Sequence, residues 1–204
     1  LLRALLNSIL VYSSSTLLIL LASSFTGYVL AKYEFKGRHG IFLWIVSQMM
    51  IPGFTGLIPT FMIMKWLGWI NTYWALIIPG AFSSYSIFLM RQYIITIPDD
   101  IIDAARLSGC SEFGLFWRIV LPLSKPALAA VGLINFVWGW NDLIGPMWYI
   151  QYTPMKTVQQ SLGSLFDIRS TVTSLPGVAA CLTIVTVPLI VLTIITQKSL
   201  IKGW

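Results

Sequence analysis

The sequence predicts an all-α fold, a polytopic bundle of membrane-spanning helices, and three observations predict it. Hydrophobic residues make up 57% of the 204, only 10% are charged, and mean hydropathy is +0.82. A soluble domain carries roughly a quarter charged residues. Five stretches free of Asp, Glu, Lys and Arg run over 4–31, 41–64, 66–90, 127–141 and 170–197, the fourth reaching residue 150 if Asp142 is tolerated. Each is set against the roughly 20 apolar residues that a helix needs to cross the hydrocarbon core. None alternates like the strands of a membrane barrel. Lipid offers no partner to stray backbone groups, so each stretch is expected to be one spanning helix, five in all.

Taken in order, 4–31 ends at a short basic loop, 32–40, and the second stretch follows it as an antiparallel neighbour. The second carries Pro52-Gly53, Gly56 and Pro59, the third Pro79-Gly80 and the last Pro176-Gly177 and Pro188. Proline removes a backbone hydrogen bond and bends a helix, and transporters use such breaks where a span lines a cavity. Membrane helices also carry more Gly and Pro in general. Trp66, Trp69, Tyr73, Trp74, Trp148, Tyr149 and Tyr152 gather near the ends of stretches, as in an interfacial aromatic belt.

The net charge of +6 is scattered rather than clustered, which argues against a nucleic-acid surface. Lys32, Lys36, Arg38, Arg91, Arg106, Arg118, Lys125, Lys198 and Lys202 fall in one set of loops, and Arg3, Lys65, Lys156 and Arg169 in the other. Nine against four places loop 32–40, loop 91–126 and the C-terminus in the cytoplasm. The first residue then lies outside, so a further N-terminal segment is expected ahead of it, either a sixth spanning helix or a cleaved signal peptide. Cys110 and Cys181 fall on different sides of the membrane boundary and read as free packing residues. His39 has no second ligand at metal-binding spacing, so no metal site is expected. The chain reads as one membrane domain, 1–204, with its polar material concentrated in loop 91–126.

That loop reads as two short helices. Thr96 stands three residues before Asp99, a capping-box spacing with Asp in place of Glu or Gln, and Pro98 suits a helix start. Asp99 and Asp100 occupy the first turn, where the helix dipole favours negative charge. Gly109 is placed as a left-handed terminator, and Ser111 as the cap of the second helix. Phe113, Phe116, Trp117 and Val120 recur at helical spacing as one apolar stripe. Two receivers suit it, a groove on a partner protein or the lipid headgroups. Arg106, Arg118 and Lys125 are offset by Asp99, Asp100, Asp103 and Glu112, which leaves little attraction for anionic lipid and favours the partner.

Asp103-Ala104-Ala105, then Gly109, then Ile119 and Leu121-Pro122, resembles the EAA loop of ABC importer permeases. Asn7-Ser8, Tyr33 to Gly37, Pro52 to Pro59, Leu67 to Tyr73, Phe88 to Gln92, Trp140-Asn141-Asp142 with Pro146, and Gln197-Lys198 to Lys202-Gly203 extend the likeness over essentially the whole chain. It is most similar to the carbohydrate, maltose-type branch and its MalG-like permease. The resemblance implies a binding-protein-dependent component of a prokaryotic plasma (inner) membrane, usually with six spans. It also implies a second permease, two ATPase subunits and an extracytoplasmic sugar-binding protein as partners. By the same resemblance Asp103, Ala104, Ala105, Gly109, Phe113, Phe116, Ile119, Leu121 and Pro122 dock the ATPase. Asp103 stands where the family has a longer glutamate.

No ATP site is expected in this chain. Gly109 to Gly114 begins a phosphate-loop spacing, but Leu115 stands where Lys must be. ATP is therefore expected to be used by a partner, and the chain to bind no cofactor. Neither paired carboxylates nor a Ser-His set marks an enzyme. Trp138, Trp140, Asn141 and Asp142 combine stacking faces with hydrogen-bonding groups and are the candidate substrate path, against a packing and capping role for the same residues. An ion-coupled transporter or channel is the competing reading, and Asp142 is the one ionisable group within a stretch that it could use.

Overall fold

The computed structural model describes residues 1–165 and 175–201. Arg169, Lys202 and Gly203, and the Cys181 and Lys198 side chains, lie outside the described residues. All regular structure among the described residues is helical: α1 (Leu2–Lys32), α2 (Arg38–Ser47), α3 (Leu57–Trp66), α4 (Trp74–Ile77), α5 (Ser84–Ile95), α6 (Asp99–Leu107), α7 (Glu112–Leu115), α8 (Leu121–Leu123), α9 (Lys125–Trp140), α10 (Ile144–Tyr149), α11 (Val158–Leu165) and α12 (Leu175–Ile201). A π-helical turn, Phe116–Val120, joins α7 to α8.

Helix α1 is the spine. Its 31 residues extend about 46 Å at 1.5 Å per residue, more than the roughly 30 Å hydrocarbon core. Ser8, Ser15, Ser23, Ser24 and Gly27 line its inward side, and small residues let helices approach closely where lipid supplies no hydrophobic drive. It packs tightly on α5: a Cβ on Gly27 would sit 2.9 Å from the backbone nitrogen of Arg91. Below that crossing Tyr28, Met90, Ile94, Ile102, Phe116 and Val120 form the core that joins the spine to loop 91–126. Above it Val11, Tyr12, Phe136 and Trp140 form a second core.

The second and third stretches are not single straight helices. One helix, α1, is long and apolar enough to cross a membrane, or three spans exist if each sharply bent helix pair counts as one. The second stretch turns by 98° between Arg38–Met50 and Gly53–Trp66, where Pro52 is extended and Gly53–Gly56 forms a 3₁₀ turn. The third is divided at Pro79-Gly80 into α4 and α5, neither long enough to cross alone. Lys125–Trp140 meets Glu112–Leu123 at 77°. Helix α12 is continuous over 27 residues, Leu175–Ile201, with Pro188 inside it.

Lys32, Arg38 and Arg91 cluster around the last turn of α1. At its other end Asn7 Nδ2 donates to the carbonyls of Pro154 and Lys156 (3.0 and 3.1 Å), and Ser8 Oγ accepts from Val158 N at 2.8 Å. Asn71, in the left-handed region at φ 59°, uses its Oδ1 to accept from the backbone nitrogens of Gln151 and Tyr152.

Candidate functional site

Residues 97–123 project from the α1 C-terminal end as a two-helix knob. Gly109 adopts φ +80°, with no atom within 4 Å of a Cβ built there. The left-handed turn, not crowding, therefore requires glycine. Ser111 Oγ accepts from Gly114 N at 3.2 Å, the expected cap. The capping box at Thr96 does not form. Thr96 Oγ1 donates instead to the Tyr93 carbonyl at 2.7 Å, and Asp99 turns to Lys32 Nζ, 2.7 Å away. A full charge from α1 outcompetes a neutral backbone donor for the carboxylate.

A second bolt ties α6 to α7 and both to the spine. Arg106 clasps Glu112 with two parallel hydrogen bonds, Nε–Oε1 2.8 Å and Nη2–Oε2 3.2 Å, and reaches Asp103 Oδ1 through Nη1 at 3.1 Å. The Tyr33 hydroxyl donates to Glu112, and the Tyr33 ring faces the Arg106 guanidinium. The hydrogen bonds from Arg106, then Tyr33, hold the Glu112 carboxyl below its ordinary range, and Arg106 is correspondingly raised. The Tyr33 hydroxyl is raised by burial and by its bond to Glu112. Lys32 likewise holds Asp99 low.

The predicted apolar stripe splits. Phe116 and Val120 point inward, 2% and 0% exposed, with Phe116 against Phe25 and Tyr28. Phe113 and Trp117 point outward and meet edge to face at 5.9 Å. The wide π turn spreads the four residues over a broader arc than an α-helix would. Of the residues expected to dock, Asp103, Ala104, Gly109, Phe113 and Pro122 are exposed, Ala105, Ile119 and Leu121 are half-buried, and Phe116 belongs to the core. Phe116 therefore supports the knob from within and presents no face to a partner. Leu107, at the end of amphipathic α6, is 91% exposed and was not among the expected docking residues.

A cavity of about 580 Å³ opens where the third stretch is broken, against α1 and α9. Trp138, Asp142 and Asn135 line it together with Tyr12, Phe54 and Ser83. Asn135 Nδ2 donates to Ser86 Oγ at 2.9 Å, and Trp138, 59% exposed, packs on Tyr85. Asp142 Oδ1 accepts from Gly145 N at 3.1 Å, starting α10. Trp140 and Asn141 are not part of this lining. Trp140 is fully buried and stacked on Phe136. Asn141 donates to the Val137 carbonyl at 2.8 Å and accepts from Gln159. Asn135, missed in the sequence, lies one helical turn before Trp138 on the same face.

A helical membrane domain with a bonded polar knob at one end and a cavity between broken spans defines a class, the membrane component of a transporter. The chain belongs to the family described as binding-protein-dependent transport system inner membrane component, which matches residues 19–204, and is thus an ABC importer permease. It is 35% identical over 197 residues to the arabinooligosaccharides transport system permease protein AraQ of Halalkalibacterium halodurans, covering 97% of this chain and 70% of that protein. AraQ of Bacillus subtilis is 37% identical over 161 residues, 79% of this chain and 57% of the relative. The sn-glycerol-3-phosphate transport system permease protein UgpE of Yersinia pestis bv. Antiqua is 30% identical over 199 residues, 98% of this chain and 71% of the relative. In fold the chain matches the crystal structure of a bacterial ABC transporter involved in the import of the acidic polysaccharide alginate, with TM-score 0.87 and 24% identity over 96% of this chain and 74% of that one.

Proposed function

We propose that the chain is one of two permease subunits of an ATP-driven carbohydrate importer in a prokaryotic inner membrane, with the knob and C-terminus in the cytoplasm. The cavity beside Trp138 and Asp142 contributes to the sugar path, and an extracytoplasmic binding protein delivers the sugar. Two ATPase subunits use the ATP; this chain binds none. The carbohydrate class rests on relatives whose names specify arabino-oligosaccharide transport.

One observation carries the coupling half of the reading. The knob is tethered to the spine at two places, Lys32–Asp99 and Tyr33–Glu112–Arg106, while Leu107, Phe113 and Trp117 remain outward. A stiff element with an apolar outer face transmits force from whatever grips it. Asp103 borders that face, already engaged by Arg106, and Gly109 sets the angle between the helices. Ala104, Ala105, Ile119, Leu121 and Pro122 shape its flank.

The test is Gly109→Val in the importer reconstituted with its partners in vesicles. A β-branched residue in the left-handed region costs roughly 1–2 kcal/mol, so ATP-dependent sugar uptake should fall about tenfold while ATP hydrolysis continues. Uptake at the wild-type rate would overturn the coupling role. The ion-coupled reading draws on Asp142 in the cavity and separates cleanly: collapsing the proton gradient with ATP present should leave uptake intact.

A further inference from the structure

Beside the last turn of α1 lies a cleft of about 480 Å³ lined by Glu34, Phe35, Arg38, His39, Gly40 and Arg91, with Gly37 at its edge. Neither the coupling knob nor the sugar path uses it. Two guanidiniums converge there on one atom: Arg38 Nε and Arg91 Nε donate to the Leu30 carbonyl at 2.9 and 3.1 Å. Arg38 Nη2 also donates to the Ala31 carbonyl at 2.9 Å, and Arg91 lies 3.9 Å over the Phe42 ring. The negative end of α1 and an aromatic face thus fix two like charges side by side.

Two other cations at this end of the molecule have carboxylate partners. Lys32 pairs with Asp99, and Arg106 with Asp103 and Glu112. Among the described residues Arg38 and Arg91 form no ion pair, and Glu34, although it borders the cleft, bridges to neither. Both η nitrogens of Arg91 and Nη1 of Arg38 have no acceptor among the described residues. The space above is open, since a Cβ on Gly37 or Gly40 would meet no atom within 4 Å. The guanidinium fork matches the oxygens of a phosphate. On the proposed orientation this end of α1 faces the cytoplasm, where a basic pocket between helices at headgroup level would meet the phosphate of an anionic lipid.

We infer that this cleft binds a phosphate group, supplied in the membrane by the headgroup of an anionic phospholipid. The ligand fastens loop 32–40 to α5, so its readout is stability rather than transport. The test uses the purified importer, with its partners, in phosphatidylcholine nanodiscs. Its thermal midpoint is compared with that in nanodiscs containing phosphatidylglycerol, and with that in phosphatidylcholine plus inorganic phosphate. Phosphatidylglycerol should raise the midpoint of the wild type. The rise should vanish in Arg38→Gln with Arg91→Gln, and also in Gly40→Phe, which fills the cleft while leaving both arginines and their α1 contacts in place. A rise with phosphatidylglycerol alone assigns the lipid; a rise with inorganic phosphate as well assigns a soluble phosphate ligand. A wild-type midpoint that responds to neither, or a response that survives Gly40→Phe, overturns the site.

Discussion

The knob and the cavity are held by opposite means. The knob is small, and over its buried Phe116 core a few polar bonds fix its shape: Lys32 to Asp99 and Tyr33 to Glu112 reach it from the end of α1, and Arg106 to Asp103 and Glu112 ties its two helices together. The cavity has no ion pair among its described lining residues. It exists because helices stop at Pro52-Gly53, at Pro79-Gly80 and after Trp140, and because Asn71 and Asn7 pin the returning segments. One region resists deformation; the other is built from interruptions that can change angle.

The largest effects should come from the buried aromatic in each region. Phe116→Ala and Trp140→Ala each remove a fully packed ring and should cost about 3–5 kcal/mol, lowering the unfolding midpoint in micelles. Their outward neighbours, Phe113→Ala and Trp138→Ala, should stay within about 0.5 kcal/mol. Equal losses at Phe113 and Phe116 would contradict the split stripe. Next is Gly27→Val at the crossing that both regions share, where overpacking against the α5 backbone should cost about 1–3 kcal/mol. Smaller still is Glu112→Gln, about 0.5–1 kcal/mol for an exposed network, seen as faster amide exchange across α6 and α7 with the cavity unaffected.

Acid should distinguish the regions in the same way. Asp99 and Glu112 are held below their ordinary values by their cationic and hydroxyl donors. Their contribution is complete above the unfolded carboxylate range, near pH 4, and is lost as pH falls through the lower folded values. Tyr33 runs the other way: its raised hydroxyl contributes below about pH 10 and loses that contribution in stronger base. Amide exchange of 99–115 should therefore accelerate at the acid end, and Glu112→Gln should weaken that response.

Local chemistry was legible and long-range competition was not. Gly109 and Ser111 could be assigned from sequence because a left-handed turn and a hydroxyl cap act within a few residues. Thr96 and Asp99 could not, because the deciding partner, Lys32, lies in another helix. The breaks at Pro52 and Pro79 were visible, but a sequence does not show that one of them turns the chain by 98°. Phe113 and Phe116 look alike in a helical stripe, and only the π turn and the rings of Phe25 and Tyr28 decide which is inside. Of the candidate path residues, Trp138 and Asp142 line the cavity, whereas Trp140, two residues after Trp138, faces the core instead.

The most direct measurement is photo-crosslinking in native membranes from a reactive side chain placed at Phe113, with one at exposed Trp44 on α2 as the control. Attachment of a nucleotide-binding subunit at 113 and not at 44 is the predicted result. Attachment to lipid alone from both positions would contradict it.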